Sequence, residues 1–79
     1  MKELVEFIVT SLVDHPEQVR VREVGGRNTT LELSVAGADM GRVIGKSGRV
    51  INAIRALAQV VAAQEGKSVD VEVMEKGSR

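Results

Sequence analysis

Two hydrophobic rhythms alternate along the chain. From Lys2 to Asp14, Leu4, Ile8 and Leu12 recur every four residues, with Val5 and Val13 beside them and Phe7 and Val9 widening the stripe. This spacing predicts an amphipathic helix that packs its apolar face, Phe7 included, into the core. Pro16 drives His15 out of helical geometry, so the helix should end near Asp14, leaving His15 as an exposed boundary residue. From Gln18 to Val24 the period falls to two, with Val19 and Val21 opposite Arg20 and Arg22. Thr29 to Val35 repeats it, with Leu31, Leu33 and Val35 facing inward. Gly25-Gly26-Arg27-Asn28 between them is a turn, and no helix follows its glycines to make a phosphate cradle, so the two runs predict a β-hairpin.

Beyond Ala36-Gly37 the helical rhythm returns. Asp39 is a candidate N-cap for a short helix through Ile44, with Met40, Val43 and Ile44 inward and Arg42 at the rim. Gly45-Lys46-Ser47-Gly48 interrupts it. A second helix should run from Arg49 to about Glu65 on the stripe Val50, Ile51, Ile54, Leu57, Ala58 and Val61, and stop at Gly66. Ser68 to Met74 alternates Val69, Val71 and Val73 against Asp70 and Glu72, which predicts a third strand. Lys76 to Arg79 lacks a pattern and is expected to fray. The order is α-β-β-α-α-β, an α+β class, in which one face of a three-stranded sheet carries all three helices in a single domain over residues 1–79.

A chain of 79 residues buries only roughly 60–65% of its unfolded surface and has little room for an enclosed catalytic cavity. It has no cysteine and a single histidine, His15, so neither a metal centre nor any other cofactor is expected, and no enzymatic activity. Glu3 and Glu6 break the N-terminal apolar run, and no stretch nears the ~20 apolar residues of a membrane span. A soluble, cytoplasmic protein is the expectation. Formal net charge is zero, yet between Met40 and Gln64 the chain holds Arg42, Lys46, Arg49 and Arg55 and no acid. Such a cationic stretch, centred on the glycine loop, can steer an anion to one face.

The loop is the candidate site. Glycines let a backbone turn sharply and approach a phosphate, and Lys46 and Ser47 at the tip have no packing rationale. Gly41 to Ser47 approximates a P-loop, but that motif needs four residues between its glycines and only three stand here. Phe7 is the sole aromatic residue, which excludes single-strand recognition by stacking bases on exposed rings. Ala53, Ala56, Ala58, Ala62 and Ala63 keep the long helix lean enough for close approach by another helix. A protein-interaction module acting mainly by dimerisation is therefore a second reading.

Val43-Ile44-Gly45-Lys46-Ser47-Gly48-Arg49-Val50-Ile51 resembles the signature of KH domains, and the element order is that of their type II arrangement. The opening Lys2-Glu3-Leu4-Val5, the Asp14-His15-Pro16 exit, Asp39 to Gly45 and Glu65-Gly66-Lys67 extend the resemblance to the small single-domain bacterial KH proteins of the KhpA or YlqC family. The resemblance implies an RNA-binding protein, a post-transcriptional regulator or RNA chaperone. Its loop, Gly45, Lys46, Ser47 and Gly48, would clamp the backbone of about four single-stranded nucleotides. The bases would lie in an aliphatic groove formed by Val43, Ile44, Ile51, Asn52 and one sheet edge, rimmed by Arg42, Arg49 and Arg55. It further implies a homodimer, or a pairing with a larger KH-containing protein of the KhpB or Jag type.

Overall fold

The computed structural model describes residues 1–76. The hairpin forms as its alternation requires: β1 (Arg20–Val24) pairs antiparallel with β2 (Asn28–Val35), Val21 opposite Leu33 and Arg22 opposite Glu32. The last strand, β3 (Ser68–Glu75), joins β2 in parallel with Leu31 opposite Val71, so β2 is central and β1 and β3 are the edges. A parallel pair requires a crossover, and the whole segment from Ala36 to Lys67 supplies it. That crossover holds α2 (Met40–Ile44), the glycine loop and α3 (Arg49–Gln64). The first helix, α1 (Lys2–Leu12), lies against β1 and α3.

Leu31, Leu33, Val35, Val69 and Val71 form the covered side of the sheet and are met by Val5 and Val9 of α1, Val43 of α2, and Ile51, Ile54, Ala58 and Ala62 of α3. Arg22, Glu32, Asp70 and Glu72 belong to the opposite, polar side, where Arg22 Nε lies 3.2 Å from Glu32 Oε1. At the end of α3, Gly66 adopts φ +71°, and its N–H and that of Lys67 donate to the carbonyls of Ala63 and Ala62, closing the helix as its glycine predicted.

Several expectations change. α1 ends at Leu12, two residues before Asp14, and its buried line is Val5 and Val9 rather than Leu4, Ile8 and Leu12. The apolar arc is wider than the strip of sheet beneath the helix, so Leu4 and Leu12 are left partly exposed and Phe7 is 70% exposed. Leu57 likewise stands outside the core, at 52%. Residues Pro16–Gln18 form a 3-10 turn, so β1 starts at Arg20 and not Gln18. Lys76 does not fray, since its N–H donates to Val35 O at 2.7 Å; the remainder of the expected frayed tail, 77–79, lies outside the described residues.

Asp39 stands at the start of α2, but its side chain does not cap that helix. The carboxylate is buried and accepts the N–H of Asp14 at 3.1 Å and of His15 at 3.0 Å. These are the two amides that Pro16 prevents from continuing the helix. One buried charge thus satisfies the frayed exit of α1 and ties it to the entrance of α2, 24 or 25 residues away along the chain. Hydrogen bonds to a charged group are stronger than neutral ones, and deleting the acceptor leaves two donors unsatisfied. Asp39→Ala should lower stability by about 2–4 kcal/mol, read as a shift of the urea midpoint, whereas Asp14→Ala should change it by under about 0.5 kcal/mol.

Candidate nucleic-acid interface

The loop between α2 and α3 is built on three left-handed or glycine-only conformations in four residues. Gly45 has φ 76° and ψ 173°, Ser47 φ 56° and ψ 27°, and Gly48 φ 75° and ψ 15°. At Gly45 there is also no space for a side chain: a Cβ would overlap Val50 Cγ2 and come within 2.8 Å of Val50 Cβ and 2.9 Å of Val50 N. The first glycine therefore lets the loop lie directly on the first turn of α3. Ser47 is the only non-glycine residue with positive φ among the described residues, and the tip holds it there at a cost.

Hydrogen bonding within the loop leaves its tip open. Gly45 N–H donates to Gly41 O, Gly48 N–H to Gly45 O, and Arg49 N–H to Lys46 O. Among the described residues the N–H groups of Lys46 and Ser47 have no backbone partner and no side chain caps α3, and both residues are exposed. Unpaired amides, a lysine and a helix N-terminus converge there, an arrangement that accepts a phosphate oxygen.

The other expected site residues separate into groups. Lys46 and Arg49 are exposed and have no ion pair among the described residues. Arg42 is exposed at the rim, but its Nη2 lies 3.2 Å from Asp14 Oδ2. Val43 is fully buried and Ile51 nearly so; they are core residues, and Val43 presents no surface and Ile51 almost none to a ligand. Ile44 is half-buried and Asn52 exposed.

The sheet edge beside the site is β3. Val71 turns both backbone groups away from β2: its N–H donates to Asp70 Oδ1 at 2.9 Å and its carbonyl accepts Arg55 Nε at 3.0 Å. By the same alternation, the N–H and C=O of Val69 and Val73 lie along this open edge. Arg55 Nη1 donates to Asn52 Oδ1 at 3.2 Å, and a Cβ on Gly48 would lie 3.8 Å from Asn52 Nδ2. A polar line runs from the loop through Asn52 and Arg55 to the edge strand. Nothing in the sequence linked Arg55 to Val71, since the bond depends on how α3 lies over β3.

Two helices joined by a Gly-x-x-Gly loop and packed on a sheet whose strands before and after them run parallel define a KH domain of the type II arrangement. The KhpA/KhpB KH-domain family model matches residues 2–73. Proteins called RNA-binding protein KhpA are 53% identical over 75 residues in Clostridium perfringens, 49% over 77 in Chlamydia muridarum and 46% over 76 in Listeria monocytogenes. These alignments cover 94–96% of this chain and 99–100% of each relative. No solved structure matches significantly. The chain belongs to the KhpA/KhpB family of KH-domain proteins.

No helix among the described residues is long and apolar enough to cross a membrane, and no three His, Cys, Asp or Glu residues gather there as metal ligands would. The loop geometry carries its own test. Gly45→Ala should cost about 2–3 kcal/mol, from overlap with Val50 and from positive φ. Ser47→Gly, which removes only the strain, should be neutral or stabilise by up to about 1 kcal/mol. Thermal melts of the two variants check both.

Proposed function

We propose that this protein binds single-stranded RNA in the cytoplasm as a post-transcriptional regulator or RNA chaperone, without catalytic activity. Gly45 to Gly48 clamp the sugar-phosphate backbone, and the bases lie between α3 and the open edge of β3. The observation that carries the reading is the pair of unbonded N–H groups at Lys46 and Ser47, exposed at a loop tip whose glycines keep side chains away. The names of the relatives support RNA as the ligand.

Lys46 and Arg49 supply charge, and Arg42 joins them when a phosphate displaces Asp14. Ile44, Asn52 and Arg55 complete the contact surface, with Val43 and Ile51 beneath it. In the absence of aromatic stacking and of net positive charge, affinity is modest and rests on the clamp. Replacing Lys46 and Ser47 together by aspartate should abolish binding to a single-stranded oligonucleotide, leaving the circular dichroism spectrum and melting temperature nearly unchanged. Retained binding would sink the assignment. The logarithm of affinity should fall with log salt at a slope of about −1.4 with two cations engaged and about −2 with three; Asp14→Asn should move it toward the steeper value.

A second reading, compatible with the first, is a protein-interaction module. Leu4 and Phe7 on α1 and Leu57 and Val60 on α3 are exposed, so each helix of this touching pair carries uncovered apolar surface. A homodimer, or a complex with a larger KH protein of the KhpB type, would cover it. Leu57→Asp combined with Val60→Asp should shift the protein toward a monomer in sedimentation velocity without unfolding it, because neither side chain contributes to the core. An unchanged sedimentation coefficient would count against this reading.

A further inference from the structure

Arg55 is the cation whose surroundings least fit a phosphate contact. Its Nε lies 3.9 Å from Asp70 Oδ1, a loose ion pair to a carboxylate on the neighbouring strand. The guanidinium is held in place at two points, Nε on the Val71 carbonyl and Nη1 on Asn52 Oδ1. Of its five N–H donors two are thereby used, and the remaining three have no hydrogen bond among the described residues. The side chain is 36% exposed and spans from α3 to the edge of β3. Anchored at two points and still rich in donors, it is suited to reading hydrogen-bond acceptors and less free than Lys46 or Arg49 to follow a phosphate.

Asn52 reinforces this. With Oδ1 turned to Arg55, its Nδ2 amide is presented on the side of Gly48. Side chains on this side of the groove therefore offer donors next to donors. A base edge that answers them has two adjacent acceptors, as in cytosine O2 and N3 or guanine O6 and N7. Adenine places its N6 amino group beside both N1 and N7, on the two edges that carry it, and uracil puts an N–H between its two carbonyls, so each would face a donor with a donor.

We infer that Arg55, set by Val71 and Asn52, is a specificity-determining residue that selects cytosine or guanine over adenine and uracil in the groove beside the clamp. This rests on the single-strand binding proposed above, and its test is separable from it. Fluorescence anisotropy would compare the full-length protein on RNA octamers of uridine whose two central bases are UU, AA, CC or GG. CC or GG should bind about five- to tenfold more tightly than UU and AA. Arg55→Lys keeps the charge but loses the fork, and should bring the four affinities within about twofold of one another. Asn52→Ala, on an exposed side chain, is the second variant and should at least halve the preference.

Equal affinities in the native protein, or a preference that survives both substitutions, would overturn the inference while leaving the clamp intact. An Arg55 that serves only to cover the β3 edge would, when changed to lysine, alter the melting temperature and not the ratio of affinities. That result also overturns it. If the native protein binds none of the four octamers, the clamp itself fails, and base selection with it.

Discussion

The contact between Gly45 and Val50 is the constraint on which the site depends. Because Gly45 has no side chain, the end of α2 can rest on the first turn of α3, and the chain reverses within four residues. Any Cβ there would push the two helices apart and draw the tip away from the start of α3. The close approach also forces the strain at Ser47, since a turn this tight cannot be completed through right-handed conformations alone. Two amide groups are left facing solvent as a result, so the same geometry that makes the loop costly to fold makes it competent to hold an anion.

Folding redistributes the charge that the linear sequence presents. The stretch from Met40 to Gln64 is free of acids, but Asp14 comes to Arg42 from the end of α1 and Asp70 to Arg55 from β3. Four cations thus separate into two without an ion pair among the described residues, Lys46 and Arg49, and two that are partnered. The unpartnered ones flank the unbonded amides and suit attraction to a charge; the partnered ones suit exchange or hydrogen-bond geometry. Asp39 contributes indirectly, because by holding the amides of Asp14 and His15 it keeps Asp14 beside the helix that bears Arg42.

The alternating valines and leucines of the three strands specified the sheet, since burial on one face imposes period two, and the glycine pair located the loop. Both signals are local. The errors arose where a choice depended on the neighbours of an element. On α1 the series Leu4, Ile8, Leu12 and the pair Val5, Val9 are both apolar, and only the position of the helix over β1 decides which is buried. Asp39 looked like a cap because a carboxylate before a helix usually is one; its actual partners lie across the fold. Val43 and Ile51 read equally well as groove or core, and the depth of α2 and α3 over the sheet settles them as core. The Arg55 to Val71 bond could not be inferred at all, because hydrogen bonds to an edge strand depend on tertiary placement.

Phe7 has a practical consequence of another kind. The chain has no tryptophan and no tyrosine, so it barely absorbs at 280 nm and has almost no intrinsic fluorescence. Nucleic acid carried through purification would dominate the ultraviolet spectrum and be recognised at once, while protein concentration must be measured by peptide absorbance or refractive index. The one ring is also exposed, on the surface of α1. A tryptophan introduced there would be a solitary emitter, sensitive to whatever covers that surface.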